Sequence, residues 1–264
     1  MPPSRVEQII DDLQAQGHYW FTREELARKF GKWDTATRDA LRRLARQQRI
    51  ARPRIGFYVI VPLEYRSAGA PPASWFIEPF MDHLRQAYYV GLLSAAELHG
   101  AAHHRPQEFQ VVTDRPTRPI QVGRVRIRFV VNSRIHDVPV LEVKTATGTM
   151  LVSTPEATAL DLVRYPHASG GYDNVATVLS ELAEVMDPVR LASASERFPS
   201  VVARRAGFLL EQVGAGQTAG CLASRFEGAE LDPQPLQPGA SKRGARHDRR
   251  WGLYLNSLVE AEES

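Results

Sequence analysis

The sequence has almost no cysteine and no long apolar run. Cys221 is the only cysteine among 264 residues, so no disulfide can form within the chain, and we expect a reducing compartment. No run approaches the roughly eighteen apolar residues that a membrane-spanning helix needs. The N-terminal stretch MPPSRVEQIIDDLQ lacks the basic region and apolar core of a signal peptide. These absences predict a cytoplasmic protein without a membrane partner.

Two nucleotide-binding and hydrolase motifs are also missing. The sequence contains no GxxxxGK phosphate-binding loop and no GxSxG nucleophile elbow. The segment SGGYDN at 169–174 lacks the acidic pair that holds two metal ions in nucleotidyl transfer, and we interpret it as a loop. No pattern in the sequence indicates a cofactor.

Positive charge is present but unevenly distributed. Residues 1–62 contain twelve Lys/Arg and seven Asp/Glu, whereas the rest of the chain contains twenty-one and twenty-three. Residues 35–56, TATRDALRRLARQQRIARPRIG, contain seven arginines and one acid. The apolar content of 43% is that of a globular protein, so this concentration of charge in a folded chain indicates an anionic partner for the N-terminal region.

Two capping boxes predict the first two helices. Ser4 with Glu7 and Thr22 with Glu25 have the spacing at which side chain and backbone cap each other reciprocally. Apolar residues at helical spacing follow each box. Between the two helices, HYWF at 18–21 is typical of a short strand.

A third helix and a hairpin complete the N-terminal region. Asp34 or Thr35 is predicted to cap the helix. Its predicted inward positions are Thr37, Leu41, Leu44 and Gln48. The alternating stretch at 49–61 predicts two short strands around a tight turn at 53–56.

The opposite face of the third helix carries arginines, and the hairpin that follows is also basic. This order of helices, short strand and hairpin is typical of a winged helix-turn-helix, in which the third helix enters the major groove of DNA. The predicted DNA-binding residues are Thr35, Arg38, Arg42, Arg43, Arg46, Arg52 and Arg54. We expect the first three to read base edges and the last four to bind phosphates. The alternative is a solvated basic surface with no partner.

The composition changes after the hairpin. RSAGAPPAS at 66–74 contains small residues and paired prolines that cannot continue a helix or a central strand. We therefore predict a DNA-binding domain at 1–66 and a second domain at 74–264.

The second part mixes helices and strands. A helical stretch is predicted from 74 onward, with residues 88–100, YYVGLLSAAELHG, in continuous helical register, followed by four strand-like runs at 108–153. The remainder is mainly helical, with Asp173 as a predicted N-cap and a loop at 231–250. The fold class predicted for the whole chain is therefore α+β: an N-terminal winged helix-turn-helix followed by a larger mixed domain with a helical C-terminal part.

One enzymatic interpretation stays open. Glu142 and Lys144 lie two apart in a strand-like run and share a face, as in metal-dependent nucleases, with Asp114 or Asp137 as the further acid. An exposed strand surface explains the pair equally well.

Histidines and a late basic run give weaker signals. His99, His103 and His104 are close in sequence, but no cysteine or nearby acid completes a tetrahedral metal site, so we predict no metal there. The run KRGARHDRR at 242–250 is interpreted as a solvated loop, although contact with nucleic acid or an acidic partner remains an alternative.

Several stretches resemble the AbiEi family, the antitoxins of type IV toxin–antitoxin pairs in bacteria. They are the basic winged-helix start, YYVGLLSAAELHGAAHHRPQEFQVVTDRP and MLVSTPEATALDLVRYPHASGG. The resemblance implies a winged helix-turn-helix that represses its own operon, and a larger domain that counters a nucleotidyltransferase-like toxin. It assigns no catalytic motif to particular residues.

The predicted function is therefore a non-enzymatic antitoxin that is also an autorepressor. Its expected partners are double-stranded promoter DNA with inverted repeats and the cognate toxin. The alternatives are a winged-helix-targeted nuclease and a ligand-sensing repressor.

Overall fold

The computed structural model describes residues 5–31, 33–101 and 106–259. The fold is of the α+β class, as predicted, and residues 155–224 are mainly helical. The chain forms two compact units. The first comprises residues 1–89, 107–135 and 142–151, and the second comprises residues 90–106, 136–141 and 152–264.

A winged helix-turn-helix begins the first unit. Its helices are α1 (Arg5–Ala15), α2 (Arg23–Phe30) and α3 (Thr35–Arg46), and its strands are β1 (Trp20–Thr22), β2 (Ile50–Arg54) and β3 (Phe57–Ile60). Strand β3 is central and pairs antiparallel with both β1 and β2. The predicted order of elements is confirmed. The capping box expected at Ser4 lies outside the described residues.

Side-chain caps fix where α2 and α3 begin. The Thr22 hydroxyl accepts a hydrogen bond from the Glu25 amide at 3.2 Å, and the Glu25 carboxylate accepts one from the Thr22 amide at 2.7 Å. Gly31, with φ 71°, ends α2 in the left-handed conformation that glycine adopts without strain. The Asp34 carboxylate accepts from the Thr37 amide at 2.8 Å and caps α3. These local signals set the turn between the two helices.

The buried face of α3 differs from the prediction at one position. Thr37, Leu41 and Leu44 are buried as expected. Gln48 is not an inward helix residue, because α3 ends at Arg46 and Gln48 is exposed with a positive φ of 56°. Ala40 joins the buried face instead.

The proline-containing stretch at 66–74 packs within the first unit. Ala70 and Ala73 are buried, and the Arg124 amide donates to the Ala68 carbonyl at 2.7 Å. A Cβ added to Gly123 would lie 2.1 Å from that carbonyl oxygen, so only glycine permits this approach. The compact units therefore do not divide at 66–74, and the functional division into 1–66 and 74–264 stays a prediction.

The first unit continues with α4 (Ile77–Leu84) and contains most residues of a six-stranded sheet. The strands are β4 (Tyr88–Val90), β5 (Phe109–Thr113), β6 (Ile120–Val122), β7 (Val125–Val131), β8 (Val140–Thr145) and β9 (Gly148–Ser153). Their order is β6-β7-β5-β4-β9-β8, with β5 parallel to β7 and β6 antiparallel to β7. All four predicted strand-like runs form strands.

The predicted continuous helix at 88–100 is wrong in its first part. Tyr88–Val90 form β4, and the helix α5 spans only Leu92–Leu98. Arg85 ends α4 in the left-handed conformation with φ 54°, and Gly91 is extended. The buried aromatic and β-branched residues of β4 suit a strand, but their apolar run fits either period in the sequence.

The second unit is mainly helical. After α5 it contains α6 (Pro155–Arg164), α7 (Gly171–Val185), α8 (Pro188–Ser195), α9 (Ser200–Gln212) and α10 (Gly216–Ser224). Thr154 caps α6, and Pro155 occupies its first turn, where a missing amide hydrogen has no cost. The Asp173 prediction is wrong, because Asp173 lies inside α7 and glycine 170 is the N-cap.

A small sheet closes the described part of the chain. Its strands are β10 (Gln234–Pro235), β11 (Arg246–Asp248) and β12 (Leu253–Leu255), in the order β10-β12-β11. The segment 231–250 is therefore not purely a loop. Trp251 is fully buried against α9, where a Cβ added to Gly207 would lie 2.0 Å from its ring.

Candidate nucleic-acid interface

The exposed face of α3 presents arginines to solvent. Arg38, Arg42 and Arg46 are exposed, because Leu41 and Leu44 turn the opposite face into the core. An Arg38 Nη2 donates to the Thr35 hydroxyl at 2.9 Å, and Arg42 Nη1 donates to Asp39 Oδ1 at 3.1 Å. Such exposed intrahelical contacts are weak, so a stronger acceptor can replace them.

The hairpin β2–β3 is the wing, and it lies beside α3. Its turn lies at Ile55–Gly56, and Gly56 takes a positive φ of 87°. The Arg23 amide donates to the Gly56 carbonyl at 2.7 Å, which ties the start of α2 to the turn. Arg52 is exposed on β2. The wing therefore adds a further cation next to the helix.

A groove of about 890 Å³ runs between α3 and the wing. Five guanidinium groups line this groove, those of Arg23, Arg38, Arg42, Arg46 and Arg52, and we call it the basic groove. Among the described residues, Asp39 is the only carboxylate in its lining. Clustered cations with few counter-charges produce a positive potential that attracts a polyanion.

The structure brings four of the seven predicted residues into the basic groove and places three elsewhere. Arg38, Arg42, Arg46 and Arg52 are in its lining. Thr35 begins α3 and is exposed, and it is not part of the groove lining.

The other two predicted residues bind protein groups. Arg43 Nη2 lies 3.4 Å from Glu7 Oε1 of α1. Arg54 Nη2 donates to the Arg118 carbonyl at 2.8 Å, and Arg54 is half-buried. Their roles as phosphate contacts stay predictions, and each would have to leave, or share, its present partner.

Sequence reasoning missed three residues of the basic groove. Arg23 stacks over the Trp33 ring, with its guanidinium carbon 4.9 Å from the ring centroid, and both line the groove. Ile55 is 82% exposed at the wing turn and also lines it. No local pattern marks these positions, because they meet only when α2, α3 and the wing pack together.

The residues of the nuclease interpretation do not form a metal-binding cluster among the described residues. Glu142 and Lys144 are exposed on the edge strand β8. Asp114 Oδ2 pairs with Arg115 Nε at 3.2 Å. Asp137 is exposed and belongs to the second unit. Among residues 5–31, 33–101 and 106–259, no three His, Cys, Asp or Glu side chains are arranged to hold a metal ion.

The histidine interpretation is only partly described. His99 follows the last turn of α5, and its Nε2 lies 2.7 Å from the Ser153 carbonyl. This contact gives His99 a structural partner. His103 and His104 lie outside the described residues. Within the described ranges no helix is both long and apolar enough to cross a bilayer.

The winged helix-turn-helix with its basic groove is the arrangement found in DNA-binding transcription regulators. Family models agree with this. Residues 8–61 match "Transcriptional regulator, AbiEi antitoxin", and residues 89–212 match "AbiEi antitoxin C-terminal domain". The chain belongs to the AbiEi antitoxin family.

A solved structure has the same fold. The crystal structure of the Rv2827c protein from Mycobacterium tuberculosis matches with a TM-score of 0.68 and 16% sequence identity, over 95% of this chain and 91% of that one. At this identity the likeness concerns the fold alone. No curated protein matches the sequence significantly.

Proposed function

We propose that this chain represses its own operon by binding promoter DNA with inverted repeats, and that it neutralises a nucleotidyltransferase-like toxin without catalysis. The observation that carries the first half is the basic groove between α3 and the wing. The second half is supported by membership of the AbiEi family, whose C-terminal domain model matches residues 89–212.

The basic groove suits duplex DNA in two ways. Exposed side chains near the N-terminus of α3 would reach base edges in the major groove, and an arginine fork can bind guanine O6 and N7 together. Thr35 and Arg38 lie in the first turn of the helix, and Arg42 lies about one turn further along its exposed side. Arg46 and Arg52 lie further along the groove and would bind phosphates, where each neutralised charge releases counterions.

Binding to DNA upstream of the chain's own gene is the direct test. We expect gel shifts and footprints over inverted repeats, with affinity that falls steeply as salt rises. Arg42→Ala should cost about 1–3 kcal/mol on the footprinted site and less on unrelated DNA. Arg52→Ala should weaken binding to every sequence alike.

The matched control is Arg126→Ala, which removes an exposed arginine of β7 outside the basic groove. It should bind the footprinted site as the unmodified chain does. If the unmodified chain leaves the promoter unbound at low salt, or if Arg126→Ala weakens binding as much as Arg42→Ala, the proposed DNA interface is wrong.

Toxin neutralisation is tested by growth. Co-expression with a neighbouring nucleotidyltransferase-like gene should arrest growth when the toxin is alone and restore it when this chain is present. The Arg38→Ala, Arg42→Ala double variant should lose repression and keep rescue, because the two activities use different residues. Glu142→Ala and Lys144→Ala should also keep rescue. Loss of rescue in a folded Glu142→Ala protein would instead favour a catalytic domain.

A further inference from the structure

The turn of the wing presents an apolar side chain to the basic groove. Ile55 is 82% exposed and lines the basic groove, whose lining also includes Arg42, Arg46 and Arg52. Hairpin turns favour Asn, Asp and Gly, and here the left-handed conformation falls on Gly56. Turn geometry therefore does not require isoleucine at this position.

Contacts from outside the winged helix-turn-helix hold this turn in place. His83 Nε2 of α4 lies 3.3 Å from the Ile55 carbonyl oxygen. On the other side, Arg54 Nη2 donates to the Arg118 carbonyl at 2.8 Å. All these residues belong to the first unit. A turn that is already held loses less conformational freedom on binding, so an exposed side chain at its tip is a preorganised contact.

The surroundings of Ile55 indicate the kind of partner. The groove that it lines also contains the guanidinium groups of five arginines, which attract the phosphates of a nucleic acid. Proteins that contact the minor groove often insert isoleucine, leucine or phenylalanine against sugars and between base steps, with basic residues on the flanking phosphates. Ile55 with Arg52 on the same hairpin has this composition.

We propose that Ile55 enters the minor groove beside the half-site read by α3 and packs against sugars and a partly opened base step. This inference rests on the proposed function, because it specifies how the same groove selects DNA. Pyrimidine–purine steps open most easily, and the guanine N2 amino group obstructs the minor-groove floor. The wing therefore favours an A·T-rich flexible step at one position of the operator.

The first experiment measures affinity of the full chain for the footprinted operator duplex. Ile55→Ala should weaken binding about 10-fold, which corresponds to one aliphatic side chain left unburied. The slope of affinity against salt should not change, because no charge is lost. Leu63→Ala is the matched control, since Leu63 is 72% exposed and lies outside the basic groove. It should bind as the unmodified chain does.

The second experiment alters only the minor groove. Replacing adenine by 2,6-diaminopurine at the flanking step adds an amino group there and leaves the major-groove edge unchanged. It should weaken the unmodified chain about 10-fold and Ile55→Ala by much less, because contacting groups are non-additive. Equal losses in both proteins, or unchanged affinity of Ile55→Ala, would overturn the inference.

The outcomes also separate this inference from the proposed function. If the unmodified chain binds no operator, both fail. If it binds the operator and Ile55→Ala binds equally well, only the role of Ile55 is wrong. If Ile55→Ala keeps operator binding but loses toxin rescue, the turn contacts a protein and the minor-groove assignment is rejected.

Discussion

Helices α3 and α9 both carry arginines, yet they place them in opposite environments. The α3 arginines of the basic groove are exposed, and Arg38 and Arg42 form hydrogen bonds with Thr35 and Asp39 of the same helix. Arg204 and Arg205 of α9 are buried, at 4% and 9% exposure. The number of arginines in a helix therefore says little about function until burial is known.

The buried pair holds the C-terminal segment of the second unit. Arg204 Nη1 donates to the carbonyl of Asp232 at 3.0 Å, and Arg205 donates to that of Pro235 through Nε at 3.1 Å and Nη2 at 2.8 Å. Burial lowers the pKa of both guanidinium groups. Backbone carbonyls are the acceptors that let these charges stay buried. Here arginine connects a helix to a strand, whereas in α3 it is available to a ligand.

The largest effect is expected for the buried arginines. Arg205→Ala should destabilise the second unit by about 2–4 kcal/mol. The Pro235 carbonyl loses the two hydrogen bonds that Arg205 donates, and the missing side chain leaves a cavity. Urea unfolding monitored by tryptophan fluorescence measures this. Arg243→Ala, which removes an exposed arginine from the same segment, should change stability by less than about 0.5 kcal/mol. Equal effects of the two changes would remove the contrast between buried and exposed arginines.

A smaller effect is expected where α9 packs against Trp251. Gly207→Ala would place its Cβ 2.0 Å from the indole ring, so the ring must move. We expect a loss of about 1–3 kcal/mol from this overpacking. Gly220→Ala in α10 is the matched control, because nothing lies within 4 Å of its added Cβ. It should be neutral or stabilising, since alanine favours a helix. A stable Gly207→Ala protein would show that the segment is loosely packed.

A weaker, pH-dependent effect is expected at the start of α8. The Asp187 carboxylate accepts hydrogen bonds from the Arg190 amide at 3.0 Å and the Val189 amide at 2.8 Å, and these bonds, with that from Arg190 foremost, lower its pKa below 3.8. Its stabilising contribution is therefore present above pH 3.8 and lost as the pH falls through the lower folded pKa. Asp187→Asn should keep part of the cap and reduce this acid dependence. The measurement is the unfolding midpoint of both proteins as a function of acid pH. The same pH dependence in both proteins would contradict this prediction.

The smallest effect on stability is expected for the exposed arginines of α3. Arg46→Ala should change the unfolding free energy by less than about 0.5 kcal/mol, because the Arg46 side chain is exposed to solvent and contributes no buried contact. The same variant should weaken DNA binding and its salt dependence. Thermal unfolding and gel shifts on one preparation measure both. A large stability loss would mean that α3 uses Arg46 for packing and not for a ligand.

Local signals in the sequence predicted the winged helix-turn-helix well. The Thr22–Glu25 capping box, the Asp34 cap and Gly31 each act within a few residues, so their effect can be derived without knowledge of the fold. The amphipathic pattern of α3 likewise placed Leu41 in the core and Arg42 in solvent. The sequence alone therefore predicted the start of α3 to within one residue and the face that it exposes.

Patterns that fit two structures could not be resolved in this way. Tyr88–Val90 was predicted as helix because its apolar residues continue the spacing of the next segment, but pairing in the sheet makes it β4. Strand pairing joins residues far apart in the chain, and its energy depends on neighbours that the local sequence does not identify.

The basic groove shows the same limit at the candidate site. Its arginines on α3 follow from helical period, which is a property of the sequence. Arg23 and Ile55 line the groove because α2 and the wing pack together with α3. Arg54 is not in the lining and donates instead to the Arg118 carbonyl in the loop before β6. Helix caps and the helical spacing of apolar and basic residues depend only on residues close together in the chain. The sequence therefore determined the helices and strands of this region and the charge that they carry. Only the tertiary structure decided which charged groups share a surface, because that depends on contacts between residues distant in the chain.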